Sequence, residues 1–154
     1  MKLSEMTLAS SDSGPTAKLL GLDVGDRRVG VAASDELGRM AFSRGVFKRR
    51  GREADLAQVR GLVDSERAGL VVVGLPLHLD GGVSEQARKT ERFAAWLRAG
   101  LDCPVVLWDE RLSTSEARAL LAEAGHRRSR RRERLDAEAA RILLQDYIDA
   151  ERAR

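Results

Sequence analysis

Three carboxylates stand where predicted elements of this chain run out. Asp23 lies near the end of the apolar run Lys18 to Val24 and shares a strand face with Leu19 and Gly21. Glu110 follows Val105-Val106-Leu107-Trp108-Asp109, the end of another predicted buried strand. Asp136 opens the last predicted helix, on one stripe with Ala140, Leu143 and Tyr147. A carboxylate inside an apolar strand costs several kcal/mol unless a cation compensates it. Two carboxylates about 5 Å apart repel by about 3 kcal/mol at an effective dielectric of 20. Three of them gathered together therefore require cations, and with oxygen ligands only the natural ones are Mg²⁺ or Mn²⁺. Two such ions roughly 3.5–4 Å apart activate a water and stabilise the leaving oxygen in phosphodiester cleavage. Each acid also has a plainer use. Asp23 can begin the turn through Gly25 and bind its amides, Glu110 can pair with Arg111 or open the next helix, and Asp136 suits the positive end of a helix dipole.

The cations point to the same class of substrate. Of 27 Lys and Arg residues, only Lys2, Lys18, Lys48 and Lys89 are lysines, against 24 acids and a net charge of +3. Arginine grips phosphate as a planar fork, although a GC-rich genome also enriches Arg and Ala. Four cations fall within Lys48 to Arg52, and His126 to Arg134 holds six arginines against the single Glu133. Such runs are either solvated faces or phosphate-binding surfaces. The segment Gly125–Glu133, read as a loop between the last two helices, brings Arg127, Arg128, Arg130 and Arg131 forward as backbone contacts, with Arg28 and Arg111 nearer the acids.

The elements that must position these groups follow from periodicity. Residues 1–17 are Ser-rich and too polar to pack, so they read as a disordered extension, followed by one domain over 18–150. Lys18 to Val24, Arg28 to Ser34 and Met40 to Phe47 predict three strands, whose short connections make an antiparallel meander. Leu56, Val59 and Val63 mark a helix within Glu53 to Arg67. Leu70 to Val73 reads as a strand buried on both faces. Ser84 caps a helix to about Arg98, Pro104 to Trp108 is a strand, and Ser113 to Ala124 and Leu135 to Ile148 are helices. The order β-β-β-α-β-α-β-α-α predicts an α/β fold with a mixed five-stranded sheet, three antiparallel strands continuing into parallel βαβ units, flanked by helices.

Composition closes other routes. At 154 residues and 43% hydrophobic content, one domain can bury a core unaided. A single cysteine excludes an intramolecular disulfide framework and a Cys-based zinc cluster. No apolar run nears the roughly 20 residues of a membrane span, and the first 17 residues lack an apolar signal centre, so a cytoplasmic location is expected. Gly81 and Gly82, before the helix capped by Ser84, are placed to offer amides to a phosphate, with the Ser84 hydroxyl as a further candidate contact, or simply form a flexible connection; no Gly-Lys-Ser/Thr loop for an NTP is present. His78 and His126 read as solvated, Cys103 as a small packed hydrophobe, and Trp96 and Trp108 as core or interface residues.

Four ordered segments carry a resemblance: Leu22 to Ala32, Val73 to Pro76, Asp109 to Thr114 and Asp136 to Ala140. Together they resemble the YqgF/RuvX family over roughly Lys18 to Asp149. The resemblance implies an RNase H-like fold related to Holliday junction resolvases and a metal-dependent nuclease for 5′-end maturation of pre-16S ribosomal RNA. It makes Asp23, Glu110 and Asp136 the catalytic, metal-binding acids. Ser113-Thr114 stands where a pair of threonines is usual, preserving the hydroxyl, and Thr114 is a candidate phosphate contact. Arg134 stands where a lysine is common, two residues before the last acid. The expected partner is nucleic acid, RNA before branched DNA, within ribosome precursors, with the chain a monomer or homodimer. Resolution of branched DNA and a non-catalytic ribosome-associated module are the alternative readings. The Asp-x-Gly turn also resembles the phosphate loop of sugar kinases and actin-like ATPases, which need two such lobes where 154 residues provide one.

Overall fold

The computed structural model describes residues 18–76, 84–109 and 132–153. The strands are β1 (Lys18–Val24), β2 (Arg28–Ser34), β3 (Ala41–Lys48), β4 (Ala68–Leu75) and β5 (Val105–Asp109). The helices are α1 (Arg52–Glu66), α2 (Glu85–Gly100) and α3 (Arg132–Arg152). Residues 1–17, the Gly81-Gly82 loop with His78, Glu110, Arg111, the predicted helix Ser113 to Ala124 with Thr114, and the arginines 127, 128, 130 and 131 beside His126 lie outside the described residues.

One mixed sheet of order β3-β2-β1-β4-β5 organises the chain. β1 pairs antiparallel with β2 and parallel with β4, and β5 extends the parallel half. This is the expected mixed five-stranded architecture. β1 and β4 occupy the centre because their residues are apolar on both faces, whereas β3 is an edge strand with largely exposed side chains. Alternation sorts the strands into two layers. Leu20, Leu22, Val29, Val31, Val71 and Val73 face α1 and α2, where Val59, Phe93 and Leu97 fill the gap. Leu19, Ala32, Val72 and Trp108 face α3 and meet Ala140, Leu143, Leu144 and Ile148. The Ser84 hydroxyl caps α2 by accepting from Ala87 N at 3.0 Å, as its sequence position predicts. None of the described helices is long and apolar enough to cross a membrane.

Two of the boundaries that differ from the sequence expectation bear on the site. α3 begins at Arg132, so Asp136 is not its opening residue but lies a full turn inside it. Arginine is a good helix former, and a charge run read as a loop can equally supply the first turn of a helix. The expected loop therefore ends before Glu133, and Arg134 belongs to α3. Lys48, read as the start of a charged connection, instead closes β3 by pairing with Arg28.

Candidate active site

β1 delivers Asp23 to the α3 face of the sheet, next to the turn that leads into β2. Its cross-strand partner is Gly30, and the absence of a side chain there matters. A Cβ on Gly30 would lie 2.1 Å from the Asp136 carbonyl oxygen and 2.7 Å from its carbonyl carbon. The backbone of α3 thus rests on the backbone of β2, directly opposite Asp23. Farther along the same contact, a Cβ on Gly21 would lie 2.8 Å from Cβ of Leu144. Two glycines on one sheet face admit the helix closely enough to set Asp136 against Asp23.

The electrostatics register that closeness. The Asp23 carboxyl is pushed up from 3.8 to about 7, first by burial and then by the negative charge of Asp136. Asp136 is compensated by Arg28, whose Nε lies 3.3 Å from its Oδ2. Arg28, expected as a nucleic-acid contact, is therefore also an internal counter-ion of the acid pair. Among the described residues the structure brings together Asp23, Asp136 and Arg28. Glu110 is the residue that follows Asp109, and β5 ends there, two strands from β1 across β4.

The turn that follows Asp23 is held from beneath. Gly25 N donates to Arg28 O at 2.9 Å. Gln86 Nε2 of α2 donates to Val24 O at 3.0 Å, and Arg49 Nη1 donates to Gly25 O at 3.1 Å. Arg49 also reaches Asp55 Oδ2 with its Nε at 3.2 Å and stacks over the Phe93 ring, 5.0 Å from its centroid. Asp55 is 2% exposed and takes a second bond from Arg50 N at 2.9 Å. Lys89 Nζ lies 3.3 Å from Asp26 Oδ1. Sequence reasoning missed Arg49, Asp55 and Gln86 because nothing in their spacing announces a tertiary bond. The one available signal was Asp55 in the first turns of a helix that lacks a capping side chain.

Other sequence candidates have structural uses. The Ser84 hydroxyl, considered for phosphate, is engaged in its cap and lies 3.5 Å from Pro76 O. Trp108 is buried, donates from Nε1 to Asp146 Oδ2 at 3.2 Å, and meets Tyr147 edge-on at 5.5 Å. Trp96 packs partly buried beside Phe93, with Arg52 over its ring at 5.3 Å. Cys103 is half-buried against the same cluster, and burial pushes its thiol up.

A family model described as RuvX, Holliday junction resolvase, matches residues 17–150. Curated relatives named "Putative pre-16S rRNA nuclease" include one from Halothermothrix orenii, 44% identical over 132 residues, which cover 86% of this chain and 94% of that protein. Another, from Synechococcus sp. (strain JA-2-3B'a(2-13)), is 45% identical over 134 residues, covering 87% of this chain and 79% of its own. Among solved structures, T. thermophilus RuvC in complex with Holliday junction substrate matches with a TM-score of 0.55 at 15% identity, over 87% of this chain and 94% of that one. At that identity the likeness is one of fold.

Proposed function

Since the chain belongs to the RuvX family, we propose that this nuclease processes the 5′ end of pre-16S ribosomal RNA in the cytoplasm, using Asp23, Glu110 and Asp136 as its catalytic acids. The observation that carries the reading is the acid pair itself: burial and the Asp136 charge drive the Asp23 carboxyl up to about 7. Such a pair relaxes when a cation enters. Its oxygen-only donor set suits Mg²⁺ or Mn²⁺ and is a poor match for soft metals. Asp23 and Asp136 would hold the ion, with Glu110, next in the chain after β5, as the third ligand. When bound, the metal supplies water activation and charge stabilisation at the leaving oxygen.

The chain's own residues do the rest. Arg28 pairs with and orients Asp136, and the turn anchored by Gln86 and Arg49 fixes the backbone after Asp23. Arg111, Arg127, Arg128, Arg130, Arg131 and Arg134 are proposed contacts to the substrate backbone, with Gly81, Gly82 and Thr114 offered to individual phosphates. We place 1–17 as an extension to a single nuclease domain over 18–150.

A resolvase reading has one specific observation in its favour, the description of the family model. Symmetric cleavage of a four-way junction would need two copies of this site, so a homodimer. The deciding experiment compares precursor ribosomal RNA, single strands, duplexes and four-way junctions, with Mg²⁺ and Mn²⁺ varied, for the natural chain and for Asp23→Asn and Asp136→Asn. Cleavage of the precursor that both substitutions abolish, with binding spared, is expected. Full activity in Asp23→Asn would overturn the assignment of the acids. Junction-only cleavage would favour the resolvase, and binding without metal-dependent cleavage of any substrate would favour the non-catalytic module.

A further inference from the structure

The cation cluster Lys48 to Arg52 is only partly used by the architecture described so far. Arg49 is turned inward onto Gly25, Asp55 and Phe93. Lys48 and Arg50 are exposed, as is Arg27 across the sheet end. Among the described residues no acid pairs with the side chains of these three. Asp26 is taken by Lys89, and Asp55 by Arg49 together with the Arg50 main chain.

Register places this cluster beside the acids. Lys48 is the cross-strand partner of Arg28, and Gly30, two residues along β2, is the partner of Asp23. Cross-strand partners share a face, and residues two apart along a strand do too. Asp23, Arg28 and Lys48 therefore occupy one face at one end of the sheet, with Arg28 touching Asp136. Arg49 N donates to Arg27 O at 2.8 Å, bringing Arg27 and Arg50 to the same end. From β1 to β3 is two inter-strand steps, about 10 Å.

Like charges directly opposite one another destabilise a strand pair, and Arg28 with Lys48 is such a pair. Charges on an edge strand also deter edge-to-edge pairing. That purpose, however, is served by either sign and anywhere along β3, whereas these cations collect at the end that carries the acids. The distribution is that of a surface awaiting an anion.

We propose that Arg27, Lys48 and Arg50 form a track for the sugar-phosphate backbone of the nucleic-acid substrate on one side of the bond to be cut, with Arg28 at the join between track and acids. The proposal rests on the nuclease reading above and deepens it by assigning where the strand lies. Contacts of this kind orient the strand without reading bases.

The test measures binding, not cleavage. In an Asp23→Asn background, labelled single-stranded RNA is titrated by fluorescence anisotropy across a salt series. Each lost phosphate contact flattens the dependence of log K on log salt by about 0.7 for a single strand. Arg27→Ala/Lys48→Ala/Arg50→Ala should therefore flatten it by about 2 and weaken binding at low salt. Should the triple variant melt early, the single substitutions Lys48→Ala and Arg50→Ala should each remove about 0.7. A control at the opposite end of the sheet, Arg39→Ala/Arg67→Gly, should leave the slope unchanged; Arg67 has φ 57°, which glycine accepts. An unchanged slope in the track variants, or an equal loss per charge in the control, overturns the track. The natural chain's cleavage is assayed separately. Cleavage with a slope indifferent to these residues removes the track alone, and a track-dependent slope without cleavage of any substrate removes the nuclease reading alone.

Discussion

Replacing Asp23 with Asn should make the metal-free protein more stable, and only at the pH where its carboxyl would ionise. In the native chain that carboxyl is held at about 7, against 3.8 for an ordinary one. Below both values it is neutral folded and unfolded, and costs nothing. Between them the folded state keeps a proton that the unfolded state has released. Stability then falls as pH rises, by up to about 1.4 kcal/mol per pH unit. Above about 7 the full penalty applies, at most about 4 kcal/mol, and less because half-buried Asp23 retains some water. An uncharged Asn escapes it. Taking a gain of about 2–4 kcal/mol at roughly 2–4 °C each, Asp23→Asn should melt about 4–16 °C higher near pH 8. Near pH 4 the offset should shrink to about 2 °C or less. Thermal unfolding across that range, without divalent ions, checks this. Adding Mg²⁺ near pH 8 should then raise the melting point of the natural chain far more than that of the variant. An Asp23→Asn protein less stable than the parent near pH 8, or offset equally at both pH values, would refute the electrostatic account of the site.

Two other substitutions probe how the acids are placed. Gly30→Ala puts a methyl 2.1 Å from the Asp136 carbonyl oxygen, where only main chain could yield. Overpacking of this kind costs about 1–3 kcal/mol, and kcat for nucleic-acid cleavage should fall by about 10²-fold well below the melting point as Asp136 moves off Asp23; unchanged kcat would show that the helix contact does not set the site. Arg49→Ala strands the buried Asp55 carboxylate and should cost about 3 kcal/mol by urea denaturation. The double variant with Asp55→Ala should cost clearly less than the two single losses together, and simple additivity would disprove the coupling.

Much of this was legible in residue order because strands and amphipathic helices announce themselves by period. Alternation along Leu19, Gly21 and Asp23 placed the first acid on a defined face, and the Asp136, Ala140, Leu143, Tyr147 stripe did the same for α3. What joins them was not legible. Gly30 reads as an ordinary strand glycine until the sheet order sets it under a helix. The start of α3 was placed too late because arginines serve a helix and a loop equally well. The cluster Lys48 to Arg52 looks uniform in sequence, yet it divides into an inward Arg49 and exposed neighbours. That division depends on Asp55, Phe93 and Gly25, which are remote or unremarkable in the chain.

The sheet separates two layers whose buried side chains do not intermix. Asp23 and Asp136 belong to the α3 layer, while Val59, Phe93, Ala94 and Leu97 fill the other. Among the described residues, apart from Gln86, Arg49 and Lys89, which reach up to the turn after Asp23, that rear layer meets the acid end of the sheet through strand main chain. It is therefore where laboratory evolution toward heat tolerance has room to work, since its apolar side chains can be exchanged as a volume-conserving set. The front layer offers no such latitude, because helix and sheet there meet across glycines and an added methyl has nowhere to go.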